Sequence, residues 1–142
     1  MRLERTVHTD KPVGVVFAYL ADFTTTTEWD PGTVRTTRQS GDGGVGTVYR
    51  NVSKFAGRET ELTYTVVEHE PDQRIALEGK NKTVTAHDLM TFRDTGAGTE
   101  VRYVADFDFG LLTPVIGLVM RPFFKKLGDE AQRGMSEALA RL

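Results

Sequence analysis

Apolar and polar residues alternate along most of the chain after residue 32. The clearest case is the segment 99–109, where alternate residues put one apolar series on a single side of an extended chain: Val101, Tyr103, Ala105, Phe107 and Phe109. This period of two predicts strands at Arg2–Thr9, Thr33–Gln39, Gly46–Phe55, Glu59–Glu70, Arg74–Gly79, Thr83–Arg93 and Thr99–Phe109. The connections between the six later strands are short and rich in Gly, Asp, Asn and Pro, which indicates an antiparallel meander.

Two stretches carry helical spacing instead. Apolar residues recur every three or four positions in Val13–Asp22, and a further helical turn is predicted at Thr26–Trp29, stopped by Asp30-Pro31-Gly32. A long amphipathic helix is predicted over about Thr113–Leu142. Pro122 lies inside this pattern, so it should kink or restart the helix.

One face of the predicted sheet is apolar and the other is polar. Besides the series at 101–109, the inward positions are Leu62, Tyr64, Val66, Ile75, Leu77, Val84, Ala86, Met90 and Phe92. The phase of Gly46–Phe55 stays open at this stage. Either Tyr49, Asn51 and Ser53 or Val48, Arg50 and Val52 point inward.

Composition narrows the class of protein. The chain has 142 residues, 39% hydrophobic and 27% charged, which predicts one globular domain over residues 1–142. A net charge of −2 argues against a nucleic-acid binder. The absence of cysteine excludes disulfides, thiol catalysis and thiolate metal sites.

The longest uncharged apolar run is Phe109–Met120. It is shorter than the roughly 20 residues that span a bilayer, so it does not predict a transmembrane helix. We expect a helical segment packed on the core, with an amphipathic surface anchor as the alternative. The first residues carry no apolar stretch typical of a secretory signal, so we expect a cytoplasmic protein.

The short motifs in the sequence do not indicate a nucleotide site, a metal site or a serine nucleophile. Gly41–Gly46 spells GxGxxG, but a strand follows it where a nucleotide site needs a helix, so we interpret it as a hairpin turn. His8, His69 and His87 lie on different elements without metal-ligand spacing, so neither a metal nor another cofactor is expected. No serine stands in a nucleophile-elbow context.

Asp88 is the one acidic residue on an apolar strand face, between Ala86 and Met90. Burial there should raise its pKa unless a cation lies nearby. It is therefore a weak candidate for a general base or an anchor for a ligand hydroxyl. Alternatively, a bulge turns it to solvent, or Arg50 pairs with it in a purely structural role.

The order of elements, together with several local strings, resembles the helix-grip fold of the START and Bet v 1-like (SRPBCC) superfamily, in particular its polyketide cyclase/dehydrase-like family. The strings that carry the resemblance are Pro12 with Val15–Phe23, Trp29–Gly32, Gly44–Tyr49, Gly57-Arg58, Glu68–Pro71 with Arg74, and Gly98–Val101. They span nearly the whole chain. The resemblance implies an α+β fold in which a curved, antiparallel, seven-stranded sheet wraps around a long C-terminal helix, with two short helices after the first strand.

The resemblance also implies a cavity between sheet and helix that takes a bulky apolar molecule. The residues expected to contact such a ligand are Trp29, Tyr49, Tyr64, Leu77, Ala86, Asp88, Met90, Tyr103, Ala105, Phe107, Met120 and Phe124. Trp29 would lie near the mouth, although a core position is the alternative. The tyrosines either hydrogen-bond the ligand or pack in the sheet.

Three hypotheses of function follow. The leading one is binding or carriage of a small hydrophobic molecule, such as a lipid or polyketide, by a monomer or weak homodimer. The alternative is an aromatase/cyclase-type enzyme in which Asp88 and a tyrosine guide proton transfer. The third is a protein-interaction module that uses the outer face of the C-terminal helix or the Phe109–Met120 segment.

Overall fold

The computed structural model describes residues 1–142. Its strands are β1 Arg2–Thr9, β2 Thr33–Ser40, β3 Val48–Phe55, β4 Arg58–Glu70, β5 Arg74–Lys80, β6 Thr85–Asp94 and β7 Thr99–Asp108. Its helices are α1 Val13–Ala21, α2 Thr26–Trp29, α3 Thr113–Val119 and α4 Arg121–Ala140. The strands form one seven-stranded sheet in the order β1-β7-β6-β5-β4-β3-β2, and every neighbouring pair is antiparallel. The curved sheet and its C-terminal helix confirm the predicted architecture.

Each predicted strand is present, and several ends are displaced by one or two residues. The largest displacements are at the starts of β3 and β6, which begin at Val48 and Thr85. Gly46 has φ +91°, a left-handed conformation that a strand cannot contain, so β3 begins after it. Gly41–Gly46 forms the predicted turn between two strands.

The phase of β3 is settled by burial. Tyr49 and Asn51 are buried and Arg50 is exposed, so the series 49, 51, 53 points inward. Arg50 pairs on the outside with Glu61 of β4, with Nε 2.7 Å from Oε1. The expected alternative in which Arg50 neutralises Asp88 is therefore wrong.

The first helical region contains one element that the sequence pattern missed. A 3₁₀ turn at Phe23–Thr25 joins α1 to α2, with the Asp22 carboxylate accepting from the Thr24 backbone N–H. Helix α1 buries Val16, Phe17 and Leu20. Phe17 packs edge-on against Phe92 of β6, with ring centroids 5.0 Å apart, so α1 closes one end of the inner sheet face.

The C-terminal region is divided at Met120. Pro122 lies in the first turn of α4, where a missing N–H is tolerated, so the helix restarts there. The buried face of α4 is made by Phe124, Gly128, Ala131, Met135, Ala138 and Leu139. Arg5 of β1 fixes this helix by donating from Nε and Nη2 to Oδ1 of Asp129.

The expectation that Phe109–Met120 packs on the core is wrong. Helix α3 has no buried residue, and Leu111 is fully exposed. Of this segment only Phe109, Ile116 and Met120 pack against an apolar cluster, and all three are only partly buried. None of the helices combines the length and apolar character needed to cross a bilayer.

Candidate ligand cavity

A cavity of about 500 Å³ lies between the inner sheet face and the N-terminal half of α4. Its size falls within the range of about 300–1,000 Å³ that is typical of small-molecule sites. Its apolar walls are formed by Leu3, Phe23, Trp29, Phe55, Leu62, Tyr64, Val84, Tyr103, Ala105, Phe107, Phe109, Phe124, Leu127 and Ala131. Such walls favour an apolar ligand.

The cavity has a polar rim at one end. Exposed polar residues of the β3–β4 hairpin and of the β5–β6 turn line it there: Lys54, Arg58, Glu59, Glu61, Asn81 and Thr83. Because these side chains are exposed and the apolar wall residues are mostly buried, the rim is the side on which the cavity meets solvent.

Asp88 projects from β6 into this apolar interior. It is 5% exposed, and its Oδ2 accepts a hydrogen bond of 2.8 Å from the Tyr103 hydroxyl on β7. Its Oδ1 has no partner. The pairing of β6 with both neighbours is regular, which excludes the bulge that would have turned Asp88 to solvent.

Burial gives Asp88 an unusually high pKa. Desolvation raises its pKa to about 7; the hydrogen bond from Tyr103 opposes the rise, and the negative charge of Asp30 adds to it. Burial likewise raises the pKa of Tyr103 well above its ordinary value, so this phenol keeps its proton. Asp88 can therefore either accept or donate a proton near neutral pH.

Trp29 is buried in the cavity wall and not at its mouth, which corrects the expected position. Its side chain packs against Tyr103, with ring centroids 5.8 Å apart, and its backbone lies against α4 at Gly134. Its indole Nε1 is buried without a hydrogen-bond partner. The interior thus contains two unpaired polar atoms, Trp29 Nε1 and Asp88 Oδ1, each of which costs free energy while it lacks a partner.

A chain of hydroxyl and amide groups crosses a second part of the wall. Asn51 Nδ2 donates to Thr36 Oγ1 at 2.8 Å, and Ser53 Oγ donates to Asn51 Oδ1 at 2.7 Å. The hydroxyls of Thr36 and Thr26 lie 2.6 Å apart, and Thr26 donates onward to the Phe23 carbonyl oxygen. This satisfied network gives the cavity a polar strip without a charge.

Seven of the twelve residues predicted to contact a ligand line the cavity: Trp29, Tyr64, Asp88, Tyr103, Ala105, Phe107 and Phe124. Tyr49, Leu77, Ala86 and Met90 do not line it; they are buried in the main core. Met120 packs against the small cluster under α3. Tyr49, Leu77, Ala86 and Met90 do point to the inner face of the sheet, but neighbouring side chains fill the space in front of them, so no cavity remains there.

The sequence pattern missed several wall residues. Thr26 and Asn51 carry the polar strip, while Phe55, Leu62 and Val84 extend the apolar wall. The alternation that identified Tyr64 also contains Leu62 and could have found it. Asn51 depended on the open phase of β3, and nothing in the local sequence marks Thr26 as inward.

The imidazoles remain apart from the cavity. The side chain of His87 is 54% exposed and lies 3.8 Å from Glu78 on the outer face, as strand parity predicts. His69 packs against the Phe17 ring, with centroids 5.3 Å apart. No group of three or more His, Asp or Glu side chains is arranged to hold a metal ion.

Solved structures share this architecture. The Zhui aromatase/cyclase from Streptomyces sp. R1128 superposes with a TM-score of 0.77 at 17% identity, covering 98% of this chain and 90% of that one. A START superfamily protein from Mycobacterium smegmatis gives a TM-score of 0.74 at 17% identity, covering 97% and 93%. A protein from Thermus thermophilus gives 0.74 at 18% identity, covering 98% and 95%. At these identities the likeness concerns the fold alone.

Sequence comparison is more specific. No curated protein matches the chain significantly. The model of the family described as "Polyketide cyclase / dehydrase and lipid transport" matches residues 1–142. The chain therefore belongs to this polyketide cyclase/dehydrase and lipid transport family.

Proposed function

We propose that the protein binds a small, largely apolar molecule in the cavity between the sheet and α4. The observation that carries this proposal is the cavity itself: about 500 Å³ of space inside a domain whose interior would otherwise be close-packed. The family description, which includes lipid transport, supports it. The seven predicted residues that line the cavity are proposed as ligand contacts.

Polar groups in the wall define what such a ligand should carry. Asp88 Oδ1 and Trp29 Nε1 lack partners, and the Asn51–Ser53 strip offers further hydrogen bonds. A ligand with one or a few hydroxyl or carbonyl groups on an apolar skeleton therefore fits better than a pure hydrocarbon.

Trp29 provides a direct test, because it is the only tryptophan and it lines the cavity. Titration with fatty acids, sterols and aromatic polyketides should change its fluorescence saturably. At one hundred times its Kd, a ligand should stabilise the fold by about 2.7 kcal/mol, which is visible as a raised Tm. If no compound in the panel alters either signal, the proposal fails.

Two alanines of α4 give a matched pair of variants. Ala131→Phe places a ring in the cavity and should abolish the fluorescence response, because Ala131 lines the wall. Ala140→Phe adds the same ring at an exposed position on the same helix and should leave the response unchanged. An equal loss in both variants would show that the signal does not report on the cavity.

A second candidate function rests on Asp88. A buried carboxylate with a pKa of about 7, hydrogen-bonded to a phenol in a ligand cavity, suits proton transfer in an aromatase/cyclase-type reaction. Asp88→Asn should then abolish turnover of a polyketide analogue while preserving its effect on Trp29 fluorescence. Unchanged turnover would reject the catalytic role without affecting the binding proposal.

Some finer expectations complete the proposal. We infer one domain over residues 1–142, a monomer or weak homodimer, a cytoplasmic location and no nucleic-acid partner. The family match over residues 1–142 supports the single domain, and the balanced charge supports the absence of a nucleic-acid partner. Light scattering and fractionation of cells are the corresponding measurements.

A further inference from the structure

The segment from Phe109 to Phe123 exposes large apolar side chains on one contiguous surface, here termed the α3 face. Its members are Leu111, Leu112, Val115, Leu118, Val119 and Phe123, with exposed fractions from 49% to 100%. Leu118 and Val119 follow Val115 by three and four residues within α3, so they lie on the same side of that helix as Val115, and Leu111 and Leu112 precede it in a 3₁₀ turn at Gly110–Leu112. Exposed apolar patches of this kind mark interaction surfaces.

The chain leaves most of the α3 face uncovered. Helix α3 contributes no buried residue; Ile116 and the following Met120 pack on the small cluster around Phe124, and Phe123 contacts Phe55. The face therefore leaves apolar area in water, which an external partner would remove.

Cations border the α3 face. Residues 109–128 contain Arg121, Lys125 and Lys126 and no acidic residue. The side chains of Arg121 and Lys125 form no ion pair, and Lys126 makes only a loose contact of 3.8 Å with Glu130. All three are exposed. The nearest carboxylates in sequence are Asp108, which accepts from the Gly110 backbone N–H, and Asp129, which pairs with Arg5, so Arg121 and Lys125 remain available to a partner.

This charge favours an anionic bilayer over a second copy of the chain. In a two-fold dimer the same surface meets itself, so the three cations would approach their own copies. An anionic membrane surface instead attracts Lys and Arg while its acyl region accepts exposed Leu, Val and Phe side chains.

We propose that the α3 face docks the protein on anionic membranes, with α3 lying in the interface and Arg121, Lys125 and Lys126 at the headgroups. The segment lies next to the ligand cavity, since its first residue, Phe109, and the residues Phe124 and Leu127 just after it line the cavity wall. Docking would thus bring the cavity beside the bilayer. The docking itself does not depend on what the cavity binds.

Vesicle co-sedimentation of the full chain tests the proposal. Phosphatidylcholine vesicles containing phosphatidylglycerol should bind the protein, and pure phosphatidylcholine vesicles should bind it at least about tenfold less. The double variant Leu118→Asp/Val119→Asp should reduce binding by at least about tenfold, because two inserted apolar side chains become charged. Arg121→Gln/Lys125→Gln should weaken binding and its dependence on salt.

Val45→Asp is the matched control. Val45 is 66% exposed, close to the 67% of Val119. It lies in the turn before β3, at the opposite end of that strand from Phe55, which contacts Phe123 of the α3 face. It should leave vesicle binding unchanged, and circular dichroism should show that all variants fold. Three results overturn the proposal: equal binding to neutral and anionic vesicles, equal loss in Val45→Asp, or a concentration-dependent dimer that Leu118→Asp/Val119→Asp dissociates.

Discussion

The two ends of the inner sheet face carry similar apolar side chains, but only one end is filled. At the packed end, Ile75, Met90 and Phe92 are buried in the main core, where Phe17 of α1 packs against Phe92. At the hollow end, Leu62, Ala105 and Phe107 face a cavity under the first half of α4.

The two ends differ in how completely the helices fill the space over the sheet. The packed end is covered by α1 as well as by the second half of α4, whose Met135 and Leu139 are almost fully buried. The hollow end is covered by the first half of α4 and by the single-turn helix α2, whose Thr26 and Trp29 line the cavity, while α3 contributes no buried residue there. The cavity therefore follows from the path of the helices and not from a lack of apolar residues.

Truncation of buried side chains should separate the two ends most strongly. Met90→Ala at the packed end should lower the free energy of unfolding by about 2–5 kcal/mol, since it opens a new void in a filled core. Leu62→Ala at the hollow end should cost about half as much, because its side chain already faces a cavity. Urea unfolding with unchanged m values measures both, and equal losses would contradict the distinction.

The hollow end also contains the charge that should destabilise the fold. Asp88 has its pKa raised to about 7, so between about pH 4 and 7 the unfolded chain releases a proton that the folded protein retains. Stability from this group therefore falls as pH rises through that window and stays low above it. Asp88→Asn should match the parent at pH 4 and exceed it by at most about 4 kcal/mol at pH 8.

Tyr103→Phe is the counterpart to this substitution. It removes the hydrogen bond that lowers the pKa of Asp88, so the fall in stability should extend to higher pH. Unfolding curves collected from pH 4 to pH 9 give both profiles. A constant difference between Asp88→Asn and the parent across this range would show that Asp88 keeps an ordinary pKa.

The sequence pattern predicted the elements well because each face of a strand repeats every second residue. It could not distinguish the two ends of that face. Asp88 and Met90 share one side of β6, two residues apart, yet one lines the cavity and the other lies in the core. That separation depends on where α1 and α4 lie, which local periodicity does not encode.

The outward turn of α3 was equally hidden. A fully apolar segment followed by a helix is typical of core packing, and Pro122 permitted either a kink or a restart. In the structure the chain breaks at Met120 and α4 restarts at Arg121, and α3 before the break buries none of its residues, which leaves the α3 face exposed. The network of Thr26, Thr36 and Asn51 joins the three successive elements α2, β2 and β3 across separations of 10 and 15 residues, which no local sequence motif indicates.

The smallest effects should come from two glycines on α4, one over each end. At the packed end, a Cβ at Gly134 would overlap the backbone carbonyl oxygen of Trp29, so Gly134→Ala must displace α2 and should cost about 1–3 kcal/mol. At the hollow end, a Cβ at Gly128 would meet the Arg5 guanidinium at 2.9 Å, and that flexible group can move. Gly128→Ala also gains helix propensity of about 1 kcal/mol, so its net change should stay within about 1 kcal/mol of zero. Thermal and urea unfolding give the loss of stability in each variant. A larger loss in Gly128→Ala than in Gly134→Ala would show that the contact of α4 with Arg5 is less able to adjust than its contact with Trp29.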